Sequence, residues 1–282
     1  MAFSTEFQAK FKDRNNVVHQ LDIEKDGYGG SINTIRNLAD SPISIRRRAT
    51  KTDGDIIIAG SELSFKFISP ATDISTYDTL FESNYKDYRV SFYVGSNVRW
   101  RGWVKPENFK REFVDNGAHY KIDLSATDAI ADLKDVDYPD NSDRVNLIDH
   151  IDRCLALTDI SLNYKIQLNT YEPSIMSSTD SVMDNITASS LRFVKTDEGR
   201  IYQTDANEVL TELLKPFNTT LMQSDGNYWI INYQEPSSYY FPSDFGTGVI
   251  GARVQNDLRK DISNWKYRNR GSVEKQGIRF RV

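Results

Sequence analysis

The chain has 282 residues, of which 39% are hydrophobic and 12% aromatic, and its formal net charge at pH 7 is -5. This hydrophobic content is sufficient for a packed core and excludes a wholly disordered protein. The acidic balance argues against a nucleic-acid groove as the main function, because phosphate binding needs a basic surface. Since single cores stop growing near roughly 250 to 300 residues, we predict two domains.

The single cysteine, Cys154, leaves no internal disulfide and no cysteine-based zinc site. Residues 1–6 contain neither a basic leader nor an apolar stretch, and no apolar run approaches the roughly 18 residues of a membrane helix. We therefore expect a soluble protein without a membrane segment, made in a reducing compartment.

The first 125 residues show the period-two alternation of β-strands. Apolar positions recur from Phe7 to Phe11 and from Val17 to Ile23 on either side of a polar turn, which predicts a hairpin. A second hairpin is predicted for residues 88–94 and 98–104 around Gly95. Further short strands are predicted at residues 43–45, 56–58, 63–67 and 120–124. Seven or eight such strands are typical of an antiparallel sandwich or barrel.

The two indoles of the second hairpin lie on opposite faces of their strand. Val98, Trp100 and Val104 share one face, whereas Trp103 points to the other. One indole therefore belongs to the core, and we assign Trp100 to it. Trp103 is either covered by a neighbouring element or available to a partner, for example as a carbohydrate platform.

Helical spacing appears later in the chain. Thr127 and Asp128 predict the cap of a short helix over residues 129–134, and the polar loop at 138–142 marks a domain boundary. A helix is predicted over residues 146–157 with Asn146 as its N-cap, and a second one begins at Thr204 or Asp205. Residues 219–233 then form a hairpin around an Asp-Gly turn.

The three histidines show no metal-binding spacing and lie beside no recognisable nucleophile. We interpret His19 and His150 as hydrogen-bonded core or interface residues. The acidic and glycine-rich residues 22–30 lack the terminal Glu of a calcium loop and the Lys-Ser/Thr of a P-loop, so they predict a turn.

The acidic pairs Asp132/Asp135 and Asp149/Asp152 have helical spacing and are interpreted as solvated surface, although a hydrolase resting on such pairs stays as a third hypothesis. We expect no catalytic residue, no metal and no cofactor.

Basic and aromatic side chains supply the predicted contact surfaces. Arg46 and Arg48 share one strand face while Arg47 takes the other, which fits a solvated edge better than a phosphate-binding groove. The aromatic segment at 239–245 and the basic tail at 253–281 are expected to contact a neighbouring subunit. The predicted interaction residues are Trp103, Tyr239, Tyr240, Phe241, Phe245, Arg253, Arg259, Arg268 and Arg270.

Three stretches carry a resemblance to a known class of proteins. They are the hairpin at 88–106 with its Val98-Arg99-Trp100-Arg101-Gly102-Trp103 strand, the segment Ser125-Ala126-Thr127-Asp128-Ala129 continuing to Lys134, and the helix-plus-hairpin unit at 206–233. Their order resembles the tail-hub and tail-tip proteins of phages and prophages, especially those of Bacteroidetes. The resemblance extends loosely over residues 5–235.

The resemblance implies a non-enzymatic virion protein that is made in the host cytoplasm and forms a ring, of three copies or otherwise six, with other tail and baseplate proteins as partners. The fold expected is β-rich α+β. It comprises a ring-forming β-barrel or sandwich at 1–138, a smaller α/β domain at 139–235, and an irregular aromatic segment with a basic strand-forming tail at 236–282. The tail is too short for a second barrel. Three possibilities therefore stay open: the protein is a compact hub, it is a single-barrel distal tail protein, or the sequence is a fragment of a longer chain. The alternative function is a carbohydrate- or receptor-binding module.

Overall fold

The structure is a computed structural model. It describes residues 2–52, 55–114, 118–139, 143–168, 170–171, 174, 176–177, 180–197, 200–232, 241–246 and 260–261. Two compact units share the chain. Unit 1 contains Met1–Arg48, Gly60–Ala129 and Ser224–Gly226, and unit 2 contains Ala49–Ala59, Ile130–Gln223 and the described residues from Asn227 onward. Strands predominate and short helices accompany them, which agrees with the predicted β-rich α+β class.

Unit 1 is built on antiparallel strands. In chain order the elements of this part are β1 (Phe3–Lys12), β2 (Val18–Asp26), β3 (Asn33–Ile35), β4 (Leu38–Thr52), β5 (Asp55–Pro70), a 3-10 helix (Ala71–Tyr77), α1 (Asp78–Phe81), β6 (Tyr88–Val94), β7 (Asn97–Val104), a 3-10 helix (Pro106–Asn108), β8 (Lys110–Val114) and β9 (His119–Thr127). The order of hydrogen-bonded neighbours is β5-β9-β7-β6-β2-β1-β3, with β4 on β5 and β8 on β9. Both predicted hairpins, β1-β2 and β6-β7, are confirmed.

The two ends of this sheet are close together along the chain. β3 pairs in parallel with β1 at one end, and β4 pairs with β5 at the other. Arg36 and Asn37 alone separate β3 from β4, so the two ends lie within about 11 Å of each other. The sheet therefore curls strongly. A barrel closed by hydrogen bonds stays a prediction.

The core of unit 1 lies on the face that the sequence alternation predicts. Its buried side chains come from alternate positions of six strands, because successive side chains of a strand point to opposite faces. Among them are Phe7, Ala9, Leu21, Ile23, Phe65, Phe67, Tyr88, Val90, Trp100, Ile122 and Leu124.

Unit 2 combines helices with short strands. Its elements include a 3-10 helix (Ala131–Asp135), β10 (Arg144–Asn146), α2 (Leu147–Ala156), β11 (Tyr164–Gln167), β12 (Thr170–Tyr171), α3 (Val182–Asn185), β13 (Thr187–Ser189), a 3-10 helix (Ser190–Phe193), β14 (Val194–Asp197), β15 (Arg200–Gln203), α4 (Ala206–Leu214), a 3-10 helix (Lys215–Phe217), β16 (Thr220–Ser224), β17 (Asn227–Ile231), β18 (Phe241–Ser243) and β19 (Lys260–Asp261). Neighbouring strands follow the order β18-β11-β17-β16, and α2 packs against α3 and α4.

The predicted helices and turn of unit 2 are confirmed by their local chemistry. Asn146 and Asp149 form a capping box at the start of α2, and the Asp205 side chain accepts a hydrogen bond from the Glu208 N–H at the start of α4. Asp225 and Gly226 both have positive φ, 49° and 68°, which is the geometry that a two-residue hairpin turn between β16 and β17 requires.

One sequence prediction is corrected near the end of β9. The helix expected over residues 129–134 is a 3-10 helix at Ala131–Asp135, since Ala129 takes a left-handed conformation with φ of 60° and cannot continue a right-handed turn. The 3-10 helix packs on α4, and the domain boundary expected at residue 138 stays a prediction.

The segment that was expected to be irregular contains a strand. Phe241–Ser243 forms β18, which pairs antiparallel with β11 through Ile166 and Tyr164. Short aromatic and Pro-containing runs give weak strand signals, and the partner strand that stabilises this one is distant in sequence.

Candidate interaction surfaces

Trp100 is fixed in the core of unit 1 by a buried polar chain. Its indole N–H donates to Ser61 Oγ at 2.8 Å, and Ser61 in turn donates its hydroxyl (2.5 Å) and its backbone N–H (2.7 Å) to Asp128 Oδ2. Trp100 is 1% exposed and Asp128 is fully buried. This chain of hydrogen bonds links β5, β7 and the end of β9, so the Ser125–Asp128 stretch is structural. The sequence predicted Asp128 as a helix cap and gave no indication of this role.

Gly102 explains how the indole fits. A Cβ at this position would lie 2.2 Å from the Trp100 ring and 2.3 Å from the backbone oxygen of Thr127. The ring therefore passes directly over the backbone of its own strand, where no other residue type leaves room.

Of the two alternatives for Trp103, the structure shows the first: a neighbouring element covers its ring. It is 2% exposed, and its ring centroid lies 5.5 Å from that of Phe3. A sugar cannot stack on a ring that is enclosed in this way, so the described fold offers no platform at Trp103 for the carbohydrate-binding alternative. The covering residue comes from the start of β1, which the local sequence around Trp103 gives no means of predicting.

The outward face around Trp103 is polar and internally paired. Glu24 accepts hydrogen bonds from Arg89 Nε at 2.8 Å and Ser91 Oγ at 2.9 Å. Asp22 accepts from Gln8 at 2.8 Å and Gln20 at 2.7 Å. Because both carboxylates have partners within the sheet, Asp22 and Glu24 are structural. The turn predicted for residues 22–30 begins only at Gly27, since residues 22–26 belong to β2.

Two of the aromatic residues that were predicted to contact a neighbouring subunit, Phe241 and Phe245, pack within unit 2. Phe241 is 1% exposed on β18. Phe245 is half-buried, and its ring stacks on Tyr164 with centroids 6.0 Å apart. Both aromatics that the structure describes in this segment therefore pack on their own chain. Six predicted contacts lie outside the described residues: Tyr239, Tyr240, Arg253, Arg259, Arg268 and Arg270.

His150 is buried in a hydrogen-bonded cluster, which confirms the core interpretation. Its Nδ1 lies 2.6 Å from the Tyr138 hydroxyl and its Nε2 lies 3.1 Å from the Ala188 carbonyl. A neutral ring with its proton on Nε2 satisfies both neighbours, since Tyr138 can then donate to Nδ1. Burial lowers the pKa of His150 below its usual value.

An ion pair borders the same cluster. Arg153 binds Asp143 through two nitrogens, one of them at 3.0 Å from Asp143 Oδ1. The hydrogen bonds from Arg153 hold the pKa of Asp143 well below its usual range. Ser190 also donates its hydroxyl to Asp143, at 2.6 Å. Because Ser190 bonds to the carboxylate and not to the imidazole, the three residue types do not form a nucleophilic triad.

Two carboxylates that were predicted to be solvated have structural partners. Asp149 accepts the Asn146 N–H in the capping box at 3.2 Å. Asp152 accepts from the Tyr164 hydroxyl at 2.6 Å and the Gly246 N–H at 3.1 Å. Their roles in helix capping and packing replace the solvated interpretation.

Strand β4 exposes a run of consecutive side chains. Ser44, Ile45, Arg46 and Arg47 are all exposed, and Ile45 keeps 41% of its surface in solvent. Since consecutive residues of a strand point to opposite faces, both faces of β4 are open here. Within the described part of the chain, β4 has one strand neighbour, β5. Arg47 reaches Ser224 Oγ at 3.0 Å.

A second exposed surface follows directly after β5. We call residues 71–85 the acidic segment, because they contain Asp73, Asp78 and Glu82 but no basic residue. Phe81 is 55% exposed there, with its ring centroid 5.5 Å from that of Phe109. Asp78 is paired with Arg111 at 2.9 Å. The acidic segment thus combines an exposed aromatic ring with carboxylates.

Across the residues that are described, no group of three or more His, Cys, Asp and Glu side chains is placed to hold a metal ion. The same residues include no helix long and apolar enough to cross a membrane.

Comparison with known structures finds tail proteins among the structural neighbours of this chain. One is the 43 kDa tail protein of prophage MuSo2 from Shewanella oneidensis, with a TM-score of 0.38 and 13% identity over 75% of this chain and 53% of the other. Another is a tail protein from Neisseria meningitidis MC58, with a TM-score of 0.39 and 9% identity over 70% of this chain and 52% of the other. The chain spans about half the length of each. Similarity at this level does not establish a common fold. No protein-family model matches the chain, and no curated protein matches it.

Proposed function

We propose that this protein is a non-enzymatic structural component of a phage tail. In this proposal, copies of the chain form a closed ring at the tail tip, as a hub or distal ring, and join the tail tube to baseplate or receptor-binding parts. The tail assignment rests on the resemblance of residues 88–106, 125–134 and 206–233 to tail-hub proteins. The assembly role rests on strand β4.

Strand β4 carries the proposal because of its length and exposure. It has 15 residues, whereas strands at sheet edges are usually short or covered when a protein stays monomeric. Its arginines oppose unspecific pairing with other edges but allow pairing with an acidic partner. A surface of this kind suits a specific protein contact.

We expect the ring to close because each exposed strand edge is then covered by a neighbouring copy. When each subunit contacts the next through two different surfaces, every exposed edge is covered only if the last copy reaches the first. A ring of three copies is our preferred arrangement and a ring of six is the other.

A density map of the intact particle tests the proposal. We expect copies of this chain in a ring at the tail tip, in contact with one another and with tube or baseplate proteins. A chain found as an isolated peripheral decoration that touches no other copy would contradict the ring and favour a receptor-binding role. A glycan array on the purified protein then tests that role directly.

A further inference from the structure

Two surfaces of unit 1 are complementary in charge. We call residues 43–48 the basic strand; it contains Arg46, Arg47 and Arg48 and no acidic residue. The acidic segment defined above contains three carboxylates and no basic residue. Each surface also exposes a large apolar side chain, Ile45 at 41% in the first and Phe81 at 55% in the second.

The two surfaces lie at opposite ends of the β4-β5 hairpin. The Ile68 N–H donates to the Asn37 carbonyl at 2.7 Å, which places Asn37 beside the end of β5, and Ala71 begins the acidic segment directly after that end. Arg46 lies nine residues beyond Asn37, which corresponds to roughly 30 Å along the strand. The basic strand and the acidic segment of one copy are therefore separated by most of the length of this hairpin.

We infer that, in the ring proposed above, the basic strand of one copy binds the acidic segment of the next copy. The acidic segment lies along the open edge of β4, where Arg46 on one face and Arg47 on the other each meet one of Asp73 and Glu82, and Ile45, on the face of Arg47, packs near Phe81. The contact joins two different surfaces, so it is head-to-tail and generates a ring or a filament and not a two-fold dimer. The inference rests on the proposed ring and names the surfaces that close it.

Charge reversal tests this contact on the whole chain. One variant is Arg46→Glu with Arg47→Glu, a second is Asp73→Lys with Glu82→Lys, and a third combines all four changes. Sedimentation velocity over a range of protein and salt concentrations measures self-association. We expect each double variant to associate at least roughly tenfold more weakly than the wild type, and the fourfold variant to recover, because opposite charges again meet. Wild-type association should weaken as salt rises.

Matched controls separate this effect from net charge and misfolding. Lys10→Glu with Arg14→Glu changes the net charge by the same amount as Arg46→Glu with Arg47→Glu, but on other exposed residues of unit 1. This control variant should associate like the wild type. Arg46→Lys with Arg47→Lys keeps the charge and should also associate. Equal thermal unfolding midpoints show that the variants are folded.

A mixture of the two double variants reports the ring number. Each contact pairs opposite charges only when the two variants alternate, and alternation closes only in a ring with an even number of subunits. A mixture should therefore restore closed rings of six but not closed rings of three.

Three results would overturn the inference: a wild type that stays monomeric throughout, association that both reversals leave unchanged, or a fourfold variant that does not recover. Association that survives the reversals rejects this contact and leaves the ring intact. A particle map without contacts between copies rejects the proposed function itself.

Discussion

At the scale of single residues, the buried polar groups of unit 1 decide how its strands meet. Trp100, Ser61 and Asp128 form one hydrogen-bonded chain inside an otherwise apolar core. Buried polar groups of this kind are costly when one partner is removed, because the remaining group is left without water or a protein partner. Their substitution therefore tests the packing more sharply than that of exposed residues.

Trp100→Ala should lower the free energy of unfolding by about 3–5 kcal/mol, because it removes a large buried ring and leaves a cavity. Trp100→Phe keeps part of the volume but loses the bond to Ser61, so we expect a smaller loss of about 1–3 kcal/mol. Chemical denaturation measures both. Since Trp103 is also buried, its burial gives no reason to expect a smaller loss of stability from Trp103→Ala than from Trp100→Ala, and the same titration compares the two.

Asp128→Asn should destabilise unit 1 by about 1.5–3 kcal/mol, because the charged acceptor of two hydrogen bonds from Ser61 is replaced by a neutral one. Asp135→Asn is the control, since Asp135 is exposed, and it should change stability by less than about 0.5 kcal/mol. Equal effects of the two substitutions in urea titrations would show that the buried network is unimportant.

At the scale of elements, unit 2 depends on helices that begin at defined caps and on a histidine that joins three segments. His150 lies on α2, Tyr138 precedes β10, and Ala188 lies on β13. Sequence patterns located α2 and α4 because caps and apolar stripes are local signals. They gave no indication of Tyr138 as the partner of His150.

Asp205→Ala should destabilise the protein by about 0.5–2 kcal/mol, because the Glu208 N–H loses the cap acceptor that lies 2.7 Å away. Asp205→Ser retains an acceptor and should recover most of this loss. Thermal unfolding followed by circular dichroism at 222 nm compares the two variants. An Asp205→Ser variant as unstable as Asp205→Ala would contradict the capping role.

The stability of the protein should decrease as the pH falls below about 6.5. Burial lowers the pKa of His150 in the folded state, so the unfolded chain takes up its proton first, and protonation favours unfolding. The charges of Arg153, Asp143 and Asp149 also act on the ring: Arg153 lowers the pKa of His150, and the two carboxylates raise it. The contribution of Asp143, whose folded pKa is also lowered, is lost only below its usual value of 3.8.

Replacement of His150 identifies the source of this pH dependence. His150→Gln should flatten the stability profile between pH 5 and 7. Urea titrations at several pH values measure the profiles. A profile that His150→Gln does not alter would assign the effect to another group.

At the scale of the whole molecule, we predict that the native assembly has three times the chain mass of 32.3 kDa, or otherwise six times. Native mass spectrometry of the assembly isolated from particles measures this directly. The physical reason is the exposed strand β4, whose edge is covered when each copy binds the next. A mass equal to one chain would contradict the ring.

The sequence by itself determined the elements whose signals are local. The β1-β2 and β6-β7 hairpins, the core face that contains Trp100, the caps at Asn146 and Asp205, and the Asp-Gly turn all follow from short-range periodicity and turn chemistry. The sequence also predicted that Arg46, Arg47 and Arg48 lie on the solvated edge of a sheet. These features depend on residues that are neighbours in the chain.

The tertiary structure alone decided which distant residues meet. Phe3 covers Trp103, Asp128 binds Ser61, Tyr138 binds His150, and β18 pairs with β11. The chain also passes between the two units more than once, so the division into units does not correspond to a single linker in the sequence. These contacts join segments far apart in sequence, and they form because packing and the satisfaction of buried polar groups are properties of the folded chain as a whole.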